Sequence, residues 1–230
     1  MIWLSRDIRM AGFVGCVPLA RVSKISDSFA FQKRLVVWHN DRPSVPFPTL
    51  PLPPVESHSD KILIQAMDPD VYPVVFAQGD HVRLFDRSPF QKGDTLIISD
   101  CQQAERFYWG QARLQHTYTR DSEVAYLNKI VYYVAKTERY NRQGQPIYAL
   151  YRRDLNQSFY RPSELLAGVK QLTVRFGVND PATGGVKFIA PGSLTLSHRL
   201  RCLEITLSHQ EANQQETSWQ WVVALREPAT

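Results

Sequence analysis

Histidine has the widest chemical reach of any side chain near neutral pH, and this chain carries six: His39, His58, His81, His116, His198 and His209. They are scattered. No two stand at the spacing of a metal-binding helix or finger. Ser193 follows Gly192 directly, but a nucleophile elbow needs a second glycine two residues further on, and none is there. Neither common glycine-rich phosphate loop is present. Asp68-Pro69-Asp70 and Asn179-Asp180 carry oxygens of the kind calcium takes, but outside any recognisable calcium loop. Asp80, Asp86, Asp94 and Asp100 are spread over segments that read as loops and strand ends, with nothing to single out a glycosidase pair. The pattern therefore predicts no catalytic site, no metal and no cofactor.

Binding is the stronger rival. Arg139, Arg142, Arg152, Arg153 and Arg161 fall among Tyr140, Tyr148, Tyr151, Phe159 and Tyr160. Guanidinium groups interleaved with aromatic rings can track a phosphate backbone and stack bases, and Arg152 and Arg153 are the candidate contacts. In hairpin strands, however, exposed arginine alternates with buried aromatics for packing reasons alone, and that reading is preferred. The net charge of +5 and pI of about 9.2 permit an acidic partner without requiring one, because 22 acidic residues are interspersed with 27 basic ones.

The elements that must position these side chains read mostly as strands. Ten tyrosines, 11 phenylalanines and 15 prolines against 11 glycines favour a β-rich chain with many punctuated turns. Short apolar runs at 61–67, 72–77, 95–99 and 124–127 read as strands. At 129–136 apolar groups fall on both faces, the mark of a strand covered twice. Arg142-Gln143-Gly144-Gln145-Pro146 reads as a turn into 147–153, making a hairpin. Residues 162–166 resemble a short helical turn. Leu172, Val174 and Phe176 share one face of a strand that ends at Gly177, and 199–208 and 219–225 close the chain. Residues 43–54 hold six prolines and read as a rigid extended crossing.

The N-terminus differs. Met1, Leu4, Ile8 and Ala11 fall at helical spacing and define an apolar packing face, led by Leu4, Ile8 and Ala11. No capping residue precedes them, so the pattern reads as a helix entered part-way, with its stop near Gly12 or Gly15. No run of 18 apolar residues occurs, so nothing in these residues reads as a membrane-spanning helix. The three cysteines, Cys16, Cys101 and Cys202, are too far apart for zinc-type pairs. One disulfide and one thiol would suit an oxidising compartment such as the periplasm.

Three stretches together resemble PilW-type minor pilins of the type IV pilus. The first is Arg6-Asp7-Ile8-Arg9-Met10-Ala11-Gly12 leading to Gly15-Cys16. The second is the strand Thr95-Leu96-Ile97-Ile98-Ser99 ending on Asp100-Cys101. The third runs from Leu150-Tyr151-Arg152-Arg153 through Glu164-Leu165 and Gly168-Val169 to Phe176-Gly177. Order and spacing hold from Leu4 to about Val178. The hydrophobic prepilin start is absent from these residues, and 43–54 has no counterpart in the pattern.

The resemblance implies an α+β, pilin-like fold: a truncated N-terminal helix packed on an antiparallel β-rich head. It implies one domain over 1–230, with the end of the pilin helix at 1–15, the proline-rich loop at 43–54 and the head at 61–230. It also implies a non-catalytic subunit without cofactors, anchored in the inner membrane when full-length. Its head would join other minor pilins, and a tip adhesin, in a complex that primes pilus assembly and sits at the tip. The alternative is a periplasmic β-rich module that binds DNA or glycan.

Cys16 and Cys101 both belong to the family-like motifs, whereas Cys202 lies in the unmatched C-terminal part. The resemblance thus implies a Cys16–Cys101 disulfide, with Cys16–Cys202 and Cys101–Cys202 as the competing pairings. Closing a loop of about 85 residues would stabilise the fold by about 4–5 kcal/mol in the chain-entropy account. Peptide mapping of periplasmically exported, non-reduced protein is expected to yield a linked Cys16–Cys101 peptide and an alkylated Cys202. Recovery of alkylated Cys16 and Cys101 would refute the pairing.

Overall fold

The structure, a computed structural model, describes residues 2–15, 24–25, 34–38, 55–56, 58–156, 161–195, 198–210 and 216–225. Cys16 and the proline-rich stretch 43–54 lie outside the described residues. Of those described, 61% are in strands and 7% in helix. This overturns the expected α+β layout of a pilin-like helix packed on a head. The described residues form a β-rich, antiparallel-sheet fold with one short α-helix among them, α1 (Ile2–Met10), and a 3-10 turn at Pro191–Ser193. At nine residues α1 is about 13 Å long, too short to form a layer of its own.

The strands are β1 (Lys24–Ile25), β2 (Leu35–Trp38), β3 (Lys61–Met67), β4 (Tyr72–Gly79), β5 (His81–Leu84), β6 (Thr95–Ser99), β7 (Gln103–Tyr108) and β8 (Leu114–Tyr118). They continue with β9 (Glu123–Tyr140), β10 (Pro146–Asp154), β11 (Ser163–Ala167), β12 (Val169–Asn179), β13 (Val186–Ile189), β14 (Leu200–Gln210) and β15 (Glu216–Ala224). The predicted helical turn at 162–166 is a correction. That segment forms β11, antiparallel to β10 with Leu150 opposite Leu166. Local sequence favoured a turn of helix, but the free edge of β10 offers a full set of backbone partners, and tertiary pairing wins.

The chain divides into two compact units, each built from segments interleaved in sequence. The first comprises Met1–Arg9, Val36–Leu63 and Ile130–Leu225; the second comprises Met10–Leu35, Ile64–Lys129 and Arg226–Thr230. Helical residues up to Arg9 belong to the first unit and Met10 to the second.

In the second unit, β6 pairs with β7 and with the first part of β9, and β4 pairs with β5 and β8, all antiparallel. The two-residue β1 lies parallel to β7. Leu96 and Ile98 of β6 face a cluster with Val74, Phe107, Tyr118 and Val124, while Ile97 on the opposite face joins Val14, Met67, Ala104 and Leu127. In the first cluster Phe90 meets Tyr72, Trp109 and Tyr126 edge-on at 4.9, 5.3 and 5.0 Å, the arrangement that ring quadrupoles favour.

In the first unit, β9 and β10 form the predicted hairpin, with Ala149 opposite Ala135 and Arg152 opposite Tyr132. A separate four-stranded sheet runs in the order β13-β12-β14-β15. Buried Ser59 and Asp60 serve β12: the Leu172 amide donates to Ser59 Oγ (2.9 Å) and the Val174 amide to Asp60 Oδ2 (2.7 Å). Two side chains thus act as strand partners where β12 has no neighbour on that side.

Gly177 lies opposite Cys202. A Cβ at Gly177 would sit 2.3 Å from Cys202 Sγ and 3.0 Å from both Phe188 and Val186. The glycine therefore gives its space to the buried thiol. Gly177→Ala is expected to lower stability by about 1–3 kcal/mol through overpacking. Cys202→Ala in the same chain should restore part of the loss, because the new methyl then fills the vacated volume. Urea unfolding of the two variants checks this, and an unchanged midpoint for Gly177→Ala alone would refute the packing.

Candidate functional site

The family-like helix segment is built around one carboxylate. In α1, Leu4 and Ile8 are spaced i, i+4 and are both fully buried, so the helix turns one stripe inward. Ala11, the third residue of the expected packing face, is also buried but lies in the turn beyond Met10, where the Gly12 amide donates to the Gln65 carbonyl at 2.9 Å. Ile2 and Trp3 remain exposed. Asp7 stands one position before Ile8. Its Oδ2 accepts the Tyr132 hydroxyl at 2.7 Å and the Arg152 Nε–H at 2.9 Å. Ser5 Oγ accepts the Trp221 indole N–H at 3.1 Å.

Tyr132 and Arg152 are direct cross-strand partners on β9 and β10, so they present their polar ends to the same point. Burial, and then the adjacent Asp7 carboxylate, push the Tyr132 phenol well above its ordinary pKa, and it stays a neutral donor. For Arg152, burial works against the charged form. The bond and charge of Asp7 outweigh it, and the guanidinium pKa is raised. The side chains of Arg152 and Asp7 are 29% and 13% exposed, so the pair is held largely out of water.

This geometry settles where the two candidate nucleic-acid contacts lie. Arg152 is engaged by Asp7. Arg153, one residue on and therefore on the opposite face of the strand, is buried. Arg139 on β9 pairs with Glu164 on β11. Three other residues of the basic and aromatic stretch gather elsewhere in the same unit. Tyr140, Arg142 and Tyr148 line an open cleft of about 690 Å³ with Gly168, Lys170, His209 and Gln210. Lys170 and His209 were not singled out by sequence, since nothing local ties them to the hairpin.

A second polar centre, in the other unit, also escaped sequence reading. Glu105 on β7 is buried and accepts the Gln115 and His116 amides and the His116 Nδ1–H, each at 2.8 Å, and the Tyr118 hydroxyl at 3.2 Å. Four donors converge on one carboxylate. The two amides belong to β8, so Glu105 stands in for a neighbouring strand. Burial first, and then Glu105, raise the Tyr118 phenol pKa. A carboxylate this fully engaged suits anchoring rather than proton transfer.

The loop acids considered for calcium are turned to local use. Asp68 accepts the Asp70 amide and the Asn128 side-chain amide. Asp180 accepts the Ala182 amide and the Thr183 hydroxyl, which hold its carboxyl below the usual range. Among the described residues no cluster of three or more His, Cys, Asp or Glu is placed to hold a metal. No described helix is long and apolar enough to cross a membrane. Cys101 is disulfide-bonded and Cys202 is a buried free thiol whose pKa burial raises. Compared with family models, curated proteins and solved structures, the chain matches none.

Removing the Asp7 carboxylate would strand a guanidinium and a phenol that are largely withdrawn from water. Breaking a fully buried pair costs about 3–5 kcal/mol. With Arg152 still 29% exposed, Asp7→Ala is expected to cost about 2–3 kcal/mol. Asp7→Asn should cost less, because its carbonyl oxygen can still accept from Tyr132. Chemical denaturation of both variants measures the difference, and a loss below about 0.5 kcal/mol for Asp7→Ala would show that the pair carries no weight.

Proposed function

We propose that this chain is the head of a PilW-type minor pilin, a non-catalytic structural subunit that helps prime type IV pilus assembly and sits in the tip complex. The observation that supports this most is the meeting of two family-like motifs at one carboxylate. Asp7 comes from the Arg-Asp-Ile-Arg segment and Arg152 from the Leu-Tyr-Arg-Arg segment, and they are joined at 2.9 Å although 145 residues apart. Residues that matter for one shared geometry have reason to occur together.

The work of such a subunit is packing. The clasp of Asp7 by Tyr132 and Arg152 fixes the direction in which α1 leaves the sheet, and a fixed direction lets one subunit present a defined face to each neighbour. Exposed Ile2 and Trp3 on α1 offer apolar surface of the kind that neighbouring helices cover. An inner-membrane anchor of the kind the resemblance implies would raise the local concentration of heads, so contacts weak between isolated heads would add up within the assembled complex. The partners are other minor pilins and a tip adhesin, first at the periplasmic face of the inner membrane and then at the cell surface. Of the contacts named for the nucleic-acid alternative, Arg152 is engaged by Asp7 and Arg153 is buried.

Deletion of the gene in its host is expected to abolish or sharply reduce surface pili, with wild type restoring them. Complementation with Arg152→Ala should restore fewer pili at equal protein level, because the helix direction is then no longer fixed. Electron-microscopic counts of pili and immunoblots of the head make the test. Normal piliation in the deletion strain would count against the whole proposal.

A further inference from the structure

We infer that the cleft between the β9–β10 turn and the adjoining ends of β12 and β14 is a binding site for an acidic saccharide, in which a sugar ring lies against tyrosine and one carboxylate is held by Arg142 and Lys170. The inference is independent of the pilus reading. The cleft holds about 690 Å³, within the range of about 300–1,000 Å³ typical of small-ligand sites. Its walls combine apolar and aromatic surface from Pro146, Ile147, Tyr140 and Tyr148 with the cations Arg142 and Lys170, and no carboxylate is among its described lining residues. Lys170 Nζ lies 3.7 Å from Glu216, whose side chain is 70% exposed. A pair so open to water is easily exchanged for a better-placed anion.

The floor is built before any ligand arrives. Gly168 has φ +80°, and a Cβ there would lie 2.6 Å from His209 Nε2 and 3.0 Å from the Gln210 carbonyl oxygen. Only glycine leaves the strands this close. The Gly168 amide donates to Tyr148 O at 2.8 Å and the Gln210 amide to Gly168 O at 2.9 Å. His209 is fixed from two sides: Nε2–H donates to the Ala167 carbonyl at 3.1 Å, and the ring packs on Trp219 at 4.9 Å. Lys136 Nζ covers one face of Tyr140 at 5.3 Å from the ring centroid, which leaves the other face for a ligand.

The cation count decides the ligand class. A protein that tracks a nucleic-acid backbone through, for example, about 6–10 phosphate contacts needs a matching row of cations. This cleft offers two exposed cations, the number that one carboxylate occupies, beside ring-stacking surface for a compact polar ligand. That combination fits a uronic-acid type of sugar better than a polyanionic strand.

The test is amide-resolved NMR titration of the full chain with digalacturonate, its dimethyl ester and AMP. Digalacturonate is expected to bind in the millimolar range or tighter, shifting signals from Asn141 to Tyr148, Ala167 to Lys170, and His209 and Gln210. The uncharged ester should bind about tenfold more weakly, a difference of about 1.4 kcal/mol. Arg142→Gln and Lys170→Gln alter exposed side chains, so they should keep the spectrum of the folded protein while each weakens digalacturonate at least severalfold. No shifts with digalacturonate, equal binding of the ester, or unchanged affinity in both variants would overturn the site. Tighter binding of AMP than of digalacturonate would overturn the assignment to a sugar.

Discussion

From Val131 to Ala135 every residue of β9 is fully buried, so this strand must be covered on both faces. The two faces make different demands. Tyr132 brings a phenol to one face, and a buried hydroxyl without a partner costs about 1–3 kcal/mol. Asp7 meets that need, its charge needs a cation, and Arg152 on the neighbouring strand supplies one. The helix position follows from this polar requirement as much as from burial of Leu4 and Ile8. On the other face Tyr133 stacks on Tyr151 at 5.6 Å, beside Trp38, Leu63, Val131 and Ala135. There the contacts are almost wholly apolar, and the Tyr133 hydroxyl has no hydrogen-bond partner among the described residues.

Both units solve the problem of unpartnered strand backbone in the same way. In one, Ser59 and Asp60 take up the amides of Leu172 and Val174 on β12. In the other, Glu105 takes up the amides of Gln115 and His116 on β8. A carboxylate that accepts backbone donors removes the penalty of a buried N–H without requiring another strand. It also uses up its own capacity for chemistry. Asp60 and Glu105 are thereby engaged as structural groups.

Much of the local structure was legible in the sequence. Short apolar runs marked 61–67 and 95–99 as strands, alternation marked 172–176, and the turn through Gly144 marked the hairpin that β9 and β10 form. The doubly apolar run at 129–136 announced a strand covered twice. The expected helix-and-head layout was not realised. An amphipathic pattern of a few residues says which face of a helix is apolar but not whether the helix will grow into a layer. The segment at 163–167 went to strand because β10 had an edge to fill, a property of its partner rather than of its own residues.

Sequence by itself determined several of the strand segments and the turn that carries the hairpin. Only the tertiary structure decided what the side chains along that hairpin do. Arg152 and Arg153 are adjacent and chemically identical, yet one holds Asp7 and the other is buried on the opposite face, because side chains alternate along a strand. The cleft draws on Arg142, Gly168, Lys170 and His209, residues brought together by hydrogen bonds between distant strands. Strand register, set by long-range pairing, chooses the neighbours of every side chain, and no local pattern encodes that choice.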